Sequence, residues 1–261
     1  MTTTATQTTP HSATETLAIR ADGLYRFHEV KGRKLPVLLD ISFQVRREEF
    51  VAIMGPSGSG KTTLLQLVSG LDTPSSGSIE LGGRPMSELD ERGRTLLRRE
   101  QIGFVFQFFN LLPTLTVEEN IQLPLRIAGR SIKSSQVEIE RLLHQFGLSD
   151  RRDHLPSQLS GGEMQRTSIA RAMITGAPIL LCDEPTGNLA TKAGEEVMNA
   201  LRHCRDREKR TILLVTHNVR DAAYADRVFM LKDGQTVPNA ELRGPGLTPD
   251  LIHETLAKLG I

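Results

Sequence analysis

The sequence predicts an α/β fold in which a mainly parallel sheet is flanked by helices. Short apolar runs alternate with helical patterns along most of the chain, and this alternation is typical of strand–helix–strand units. A chain of 261 residues can bury a sizeable core, as one large domain or as a core with a subdomain. We predict strands at 17–20, 37–45, 50–54, 78–81, 102–106, 179–182, 211–216 and 227–231. We predict helices that begin near residues 60, 116, 133, 161, 191 and 218.

The order of these elements predicts subdomains. The early strands before Gly55 are close together and joined by short turns, so we predict that they are antiparallel. Helical patterns and charged residues dominate 86–175, which predicts a helical subdomain inserted in a domain of 17–240. Residues 1–16 are rich in threonine and almost uncharged, and we expect a disordered tail there. We expect a C-terminal tail over 241–261, with a short helix over 249–259.

Composition excludes several classes of protein. The 32 basic and 31 acidic side chains give a net charge of +1, which argues against nucleic acid as the main ligand. Two cysteines are too few for a disulfide scaffold. The N-terminus lacks the basic start and apolar run of a signal peptide. We also expect no transmembrane segment, because the longest apolar-looking stretch is interrupted by Gln107, Asn110 and Pro113.

The strongest chemical motif is the run GPSGSGKTT, which follows an apolar strand and opens a helical pattern. Its glycines allow a tight turn that brings backbone N–H groups against phosphate oxygens, and the helix N-terminus adds partial positive charge. The Lys61 ammonium can reach the β- and γ-phosphates, and the Thr62 hydroxyl can bind Mg²⁺. The alternative is a chance glycine-rich turn, but this would not require a strand before the motif and a helix after it. The predicted nucleotide-binding residues of this loop are Gly55, Pro56, Ser57, Gly58, Ser59, Gly60, Lys61, Thr62 and Thr63.

A second motif, ILLCDEP, places two acids at the end of an apolar strand. Ligands of open α/β sheets bind at this carboxyl edge. Asp183 suits a Mg²⁺ site, and Glu184 suits the orientation of an attacking water. The alternative is that the two acids are surface residues that merely end a strand. The phosphate loop elsewhere in the sequence makes this the weaker interpretation.

Three further signals are less specific. In LSGGEMQR, Ser160, Gly161 and Gly162 start a helix that could bind an anion, although an ordinary capping box is the better interpretation from physics alone. Gln107 and His217 each follow a predicted strand and would lie at the same sheet edge as Asp183. A lone Gln or His after a strand is more often only a turn residue.

The ordered set GPSGSGKTT, VFQ, LSGGEMQR, LLCDEPTGNL and VTHN resembles the ATP-binding cassette (ABC) ATPases. The resemblance covers nearly all of the chain from Leu17 to about Gly234, and LSGGEMQR separates this family from other phosphate-loop enzymes. It implies a P-loop NTPase (RecA-like) core with an antiparallel β subdomain and an inserted α-helical subdomain. The strings GFVFQFFNLLPTLTVEEN and DEPTGNL look most like the MacB/LolD/FtsE-type branch, whose members pair with FtsX-like permeases.

The resemblance also implies a role for each motif. Residues 55–63 would form the Walker A loop, Asp183 the Walker B acid and Glu184 the catalytic base. Lys61, Gln107 and the switch histidine His217 would complete the catalytic set. Gln107 would contact Mg²⁺ and face the groove for the permease. The signature residues Ser160, Gly161 and Gly162 would contact the γ-phosphate of ATP held by a second protomer.

At the level of the whole complex, the resemblance implies a homodimer of cassettes that encloses two ATP with Mg²⁺. The dimer would lie on the cytoplasmic face of the inner membrane and drive an integral permease of FtsX/MacB type. Export, lipid or lipoprotein extraction and mechanotransmission all remain open. The alternatives are a soluble ABC protein of DNA repair or translation, and an ATP-dependent clamp that is not coupled to transport. Repair types carry long coiled coils and translation types carry two cassettes, and this sequence shows neither.

Three positions depart from the family pattern. The D-loop usually ends in Asp, and here Ala190 stands there. The residue that stacks on adenine is usually Tyr, and His28 occupies that place, with Phe27 or Tyr25 as substitutes after a register shift. The turn before the phosphate-loop strand usually carries Gly where this chain has Glu48, so we expect either a turn that avoids positive φ or local strain.

An apolar cluster follows Gln107 in a chain poor in aromatic residues. It consists of Phe108, Phe109, Leu111 and Leu112. These side chains could be core of the helical subdomain, or at least part of them could line a groove for a short permease helix.

Overall fold

The computed structural model describes residues 17–261. Its strands are β1 (Leu17–Val30), β2 (Arg33–Arg46), β3 (Phe50–Met54), β4 (Ser76–Leu81), β5 (Arg84–Pro85), β6 (Ile102–Val105), β7 (Ile179–Asp183), β8 (Thr211–Thr216), β9 (Arg227–Lys232), β10 (Gln235–Thr236) and β11 (Leu242–Arg243). Its α-helices are α1 (Lys61–Val68), α2 (Glu91–Gln101), α3 (Val117–Ile127), α4 (Gln136–Gln145), α5 (Gly161–Met173), α6 (Thr191–Glu208), α7 (Val219–Ala222) and α8 (Pro249–Lys258). The predicted disordered tail, 1–16, lies outside the described residues.

The first sheet is antiparallel, with strand order β2–β1–β4–β5. β1 and β2 form a long hairpin, as the sequence predicted for the early strands. β1 extends far beyond the predicted 17–20. Its pairing with β2 shifts register at several points, for example between Ala21 and Leu24, and these irregularities break the alternation that marks a regular strand.

The second sheet contains the parallel strands in the order β9–β3–β8–β7–β6, with the short β10 and β11 antiparallel to β9. The prediction that all strands before Gly55 are antiparallel was therefore wrong for β3, which runs parallel to both β8 and β9. The reason is burial: all five residues of β3 are buried, and a strand covered on both faces belongs in the middle of a parallel sheet.

The helices begin close to their predicted starts, the largest difference being residue 133 against an observed start at Gln136. α2 was missing from the predicted starts, because its sequence is mostly charged and only Leu97 is buried. Its N-terminus is capped by Asp90, whose side chain accepts from Gly93 N. The range 86–175 holds α2, α3, α4 and α5, and it also contains β6, which pairs with β7 in the parallel sheet.

The core lies on both faces of the parallel sheet. Ala52 and Met54 face a cluster that includes the apolar faces of α3 to α6. Val51 and Ile53 face the other cluster, which fills the space between the two sheets together with α1. Because successive side chains of a strand point to opposite faces, β3 contributes to both clusters at once.

The C-terminal helix α8 begins at Pro249, as predicted, and belongs to the same core. Its Ile252 and Leu256 are buried in the cluster on the helical side of the sheet. Lys232 Nζ donates to the carbonyl oxygens of Leu259 and Gly260, and so satisfies acceptors that the end of a helix leaves unpaired. Within 17–261, no helix is both long and apolar enough to cross a lipid bilayer.

The turn before β3 is strained. Glu48 has a φ of 61°, so of the two expectations for this turn the strained one is confirmed. Surrounding contacts hold it: Glu48 N donates to Thr211 Oγ1 at 3.0 Å, and Arg205 Nε donates to Glu48 O at 3.2 Å. The side chain adds an exposed ion pair with Lys209 at 3.5 Å, which contributes little stability.

Replacing Glu48 by glycine should stabilise the fold. Glu48→Gly and Glu48→Ala remove the same ion pair, but only glycine relieves the left-handed strain, by about 1 kcal/mol. We expect the glycine variant to melt about 2–4 °C above the alanine variant in a thermal unfolding experiment. The neighbouring Arg47, whose φ is not positive, is the control position, and there alanine should be the more stable of the two. A glycine variant at 48 that melts below the alanine variant would show that the turn is not strained.

Candidate functional site

The loop between β3 and α1 has the form of a phosphate cradle. Gly58 and Gly60 have φ values of 82° and 101°, and Gly60 is the N-cap of α1. A Cβ on Gly55 would lie 2.0 Å from Leu231 O, so only glycine fits there. The loop therefore wraps its backbone around the N-terminus of a helix, where N–H groups and the helix dipole favour an anion.

Lys61 and Ser59 supply polar groups inside this cradle. Lys61 is 6% exposed, and its Nζ donates to Gly55 O and Pro56 O, both at 2.9 Å. Burial lowers the pKa of Lys61, and the nearby carboxylates of Glu184 and Asp183 oppose that effect. Ser59 Oγ is buried without a hydrogen-bond partner among the described residues. A buried hydroxyl without a partner inside a glycine cradle fits a phosphate oxygen.

Asp183 stands beside this loop at the end of β7. Thr62 Oγ1 donates to Asp183 Oδ1 at 3.3 Å, so two oxygen ligands of the kind that Mg²⁺ prefers are adjacent. Burial raises the pKa of Asp183, which a nearby cation would counteract. Within the described part of the chain, no cluster of three or more His, Cys, Asp or Glu side chains could hold a metal. The residues thus fit Mg²⁺ bound by one carboxylate, one hydroxyl and substrate phosphates.

Glu184 and His217 meet at the same edge. His217 Nδ1 lies 2.9 Å from Glu184 Oε2, and Lys61 Nζ lies 4.0 Å from Glu184 Oε1. Glu184 has a φ of 43°, a conformation that non-glycine residues rarely adopt. Its N–H donates to Val215 O at 2.9 Å, which ties the end of β7 to β8. Backbone strain of this kind concentrates at functional sites.

Gln107 lies at the neighbouring strand end but contacts the loop after β7. Asn188 Nδ2 donates to Gln107 O at 3.1 Å, and a Cβ on Gly187 would lie 2.7 Å from Gln107 Nε2. Its contact with Mg²⁺ stays a prediction.

The Ser160–Gly162 turn is a capping box. Ser160 Oγ accepts from Glu163 N at 3.3 Å and donates to Glu163 Oε2 at 2.8 Å, and Ser160 N donates to the same carboxylate. Hydrogen bonding from the Ser160 backbone lowers the pKa of Glu163 to about 2. No hydrogen bond or ion pair joins this turn to the phosphate loop within residues 17–261. The predicted contact with a partner's γ-phosphate stays a prediction.

His28 is exposed on β1, opposite Leu35 of β2. The phosphate loop touches the same hairpin, because a Cβ on Gly60 would lie 3.0 Å from Val37 O. The two rings named as substitutes, Tyr25 and Phe27, stack on each other with centroids 6.4 Å apart. The adenine-stacking residue therefore stays a prediction.

A groove of about 400 Å³ opens beside Gln107. Its lining includes Phe104 and Phe106, whose rings stack at 4.3 Å, and Ile127 of α3. The cluster predicted from sequence does not line this groove, and Phe108 is instead 72% exposed. The aromatic rings of the groove come from β6 and the residue after it, which together form the predicted strand 102–106.

Arg171 of α5 also lines the groove. Its guanidinium donates to the carbonyl oxygens of Phe109 and Asn110, both of which have positive φ. No carboxylate pairs with it in the described range, and burial lowers its pKa. Sequence reasoning missed this residue, because an arginine in an amphipathic helix gives no signal of such carbonyl contacts.

Sequence reasoning also missed a buried polar pair. Thr186 Oγ1 donates to Asp221 Oδ2, and this bond links the loop after β7 to α7. The available signal was their place in the sequence, because Thr186 follows the DEP string and Asp221 lies shortly after His217.

Comparison with known proteins agrees with this geometry. Residues 38–187 match the family described as ABC transporter. The macrolide export ATP-binding/permease protein MacB of Salmonella choleraesuis (strain SC-B67) is 48% identical over 206 residues, which are 79% of this chain and 32% of MacB. The chain thus spans about a third of the length of that relative. An uncharacterized ABC transporter ATP-binding protein of Mycobacterium tuberculosis (strain CDC 1551 / Oshkosh) is 44% identical over 214 residues, covering 82% of this chain and 86% of its own.

A solved structure also resembles this chain. The ATP-binding cassette MJ0796, as a dimer bound to ADP and Pi in a post-hydrolysis state, superimposes with a TM-score of 0.78 at 35% identity. The match covers 86% of this chain and 98% of that one.

Ala190 stands at the N-cap of α6 without a side-chain cap. Because Asp at this position can accept from the first backbone N–H groups of the helix, Ala190→Asp should stabilise the fold by about 1 kcal/mol. We expect the melting temperature to rise by about 2–4 °C. Ala190→Ser is the control that caps without charge.

The same two variants distinguish an effect on the helix cap from an effect of position 190 on coupling between two protomers. ATPase rates should be measured against ATP concentration. Higher cooperativity in the Asp variant, without a rise in melting temperature, would show that the carboxylate points away from α6 and that the capping prediction is wrong.

Proposed function

The chain belongs to the ABC transporter family and is an ATPase with the P-loop fold of ABC cassettes, and we propose that two copies enclose two ATP and drive a membrane permease of FtsX/MacB type. The observation that supports this best is the convergence of the phosphate loop, Asp183, Glu184 and His217 at one sheet edge. As the subunit that binds such a permease, it would lie peripherally on the cytoplasmic face of the inner membrane.

The residues at this edge suit hydrolysis of a γ-phosphate. The cradle and Lys61 bind the phosphates, and Ser59 Oγ offers one more donor. Glu184 orients the attacking water and accepts the proton that the water loses. The Nδ1–H of His217 donates to Glu184, which fixes the carboxylate and leaves Nε2 for another partner. Mg²⁺, bound by Thr62 and Asp183, with Gln107 as the further proposed ligand, would neutralise charge on the phosphates.

The proposed dimer rests on two observations. MJ0796, which superimposes on most of this chain, is dimeric in its solved structure. The Ser160–Gly162 turn starts a helix of 13 residues, and among residues 17–261 it has no anionic ligand besides its capping glutamate. A head-to-tail dimer would bring this turn to the ATP of the partner, and two-fold symmetry would form both sites together.

Glu184→Gln tests the catalytic site and the dimer together. The variant keeps the size of the side chain but loses the charge that orients water, so we expect the ATPase rate to fall by at least about a hundredfold. ATP should still bind, and the variant should elute as a dimer in size-exclusion chromatography with ATP and Mg²⁺ and as a monomer without them.

Glu195→Gln is the matched control, because Glu195 is exposed on α6. It should keep the parental rate and form no lasting dimer with ATP. A parental rate in Glu184→Gln would exclude Glu184 as the base, and a slow variant that stays monomeric with ATP would contradict the proposed dimer.

The groove beside Gln107 is the proposed permease contact. It has apolar walls from Phe104, Phe106 and Ile127, and its cationic side chains are Arg98, Arg99 and Arg171. An amphipathic helix with an apolar face and acidic flanking residues would complement both features. We therefore propose that such a helix of the permease occupies this groove.

Ile127→Glu should disrupt this contact. Ile127 is 57% exposed, so the change places a charge on the apolar wall without burying it in the core. Val137→Glu is the control, because Val137 is 85% exposed on α4 and does not line the groove.

Each variant should be co-expressed with the proposed FtsX/MacB-type permease and purified through the cassette. We expect Ile127→Glu to recover at least about tenfold less permease than Val137→Glu, in line with losing a central apolar contact. Equal recovery would place the contact elsewhere, and the absence of any permease in both samples would favour a clamp that is not coupled to transport.

A further inference from the structure

A buried hydrogen bond connects the two loops that carry the proposed catalytic pair. Thr186 Oγ1 donates to Asp221 Oδ2, and the two residues are 8% and 4% exposed. Thr186 follows Glu184 in the loop after β7, and Asp221 follows His217 in α7. The bond therefore joins the same two segments as the Glu184–His217 contact, from the buried side.

Asp221 also contacts the residue before His217. Its carboxylate accepts from the Thr216 hydroxyl, and Thr216 Oγ1 in turn accepts from Asn218 N at 3.0 Å. Asn218 then caps α7 by accepting from Arg220 N at 3.0 Å. One carboxylate thus orders the backbone on both sides of His217 and the loop that follows Glu184.

The burial of Asp221 costs folding stability, which argues against a purely structural role. No Lys or Arg pairs with it in the described range. Burial raises its pKa, and the hydrogen bond from Thr186 and the nearby His217 partly oppose that effect. Buried carboxylates without a cation are costly, and an apolar pair of similar shape would fill this space at least as stably. A buried polar network whose members are hydrogen-bonded rigidifies the groups that it joins.

We propose that Asp221 is a positioning residue for ATP hydrolysis, which acts through Thr186 to hold Glu184 at its place beside His217. This inference rests on the proposed roles of Glu184 and His217. Glu184 needs such support, because its φ of 43° is unfavourable. Its N–H donates to Val215 O of β8, and its carbonyl accepts from Gly187 N within the same loop. Leu189 N donates to Thr186 O at 2.9 Å, so the same anchor also orders the loop that leads to α6.

Thr186→Val tests the proposal. Valine keeps the shape of threonine but cannot donate to Asp221, so Glu184 loses its anchor. We expect the kcat of ATP hydrolysis by the full chain to fall at least about tenfold, while the KM for ATP stays within about twofold, because the phosphate loop is untouched. Thr186→Ser restores the donor and should recover most of the rate.

The double variant Thr186→Val/Asp221→Val separates positioning from stability. Thr186→Val alone leaves a buried carboxylate without its donor and should lower the melting temperature, whereas the double variant removes both polar groups and should regain it. If the pair only stabilises the fold, the rate returns with the melting temperature. If the pair positions Glu184, the double variant melts like the parent and stays slow.

Parental kcat in a folded Thr186→Val variant, or recovery of the rate in the double variant, would overturn the proposal. Glu184→Gln, measured in parallel, shows which idea has failed. A slow Glu184→Gln beside a fast Thr186→Val contradicts only the positioning role of Asp221. A fast Glu184→Gln contradicts the catalytic assignment on which that role rests.

Discussion

The parallel register of the central strands is the constraint on which the site depends. β3, β7 and β8 are buried, so their backbone groups must pair with one another, and this pairing aligns Met54 with Thr216 and Asp183 with Val215. Every loop that leaves these strands therefore starts at the same edge. The phosphate loop, Glu184 and His217 meet there although they are far apart in sequence. A register slip of one residue would exchange the side chains that β3 packs into the two core clusters, so the packing on both faces fixes the register and with it this convergence.

Charge at this edge is balanced only in part within the chain. Burial lowers the pKa of Lys61 and raises the pKa of Asp183, because it disfavours both charged groups. The charge of each group partly offsets the shift of the other. The Ser59 hydroxyl, which has no hydrogen-bond partner within residues 17–261, belongs to the same incomplete set. A polyanion with a divalent cation would complete it, because the anion pairs with Lys61 and the cation with Asp183. The electrostatics of the described residues thus agree with the activity that the family membership establishes.

The sequence predicted those parts of the fold that follow from local patterns. The apolar strands, the Gly-rich turn between β3 and α1 and the Ser160 capping box were all recognised, because each is determined by residues close in sequence. The placement of β3 was missed, since its neighbours β8 and β9 come far later in the chain. The Thr186–Asp221 bond and the carbonyl contacts of Arg171 were missed for the same reason, because they join side chains to distant segments and leave no periodic signal.

The segment after β6 connects the groove to the catalytic edge. Phe106 and Asn110 line the groove, while Gln107 between them contacts Gly187 and Asn188 in the loop after Glu184. α5 holds this segment, since Gln165 donates to Phe106 O at 3.1 Å and Arg171 to the carbonyls that follow. A helix in this groove would therefore touch residues adjacent to Gln107, and the contacts with α5 help to hold the segment at Asn110, whose φ is positive. Because α5 also begins at the Ser160 turn, any shift of that helix would act on the groove and on the proposed dimer contact together.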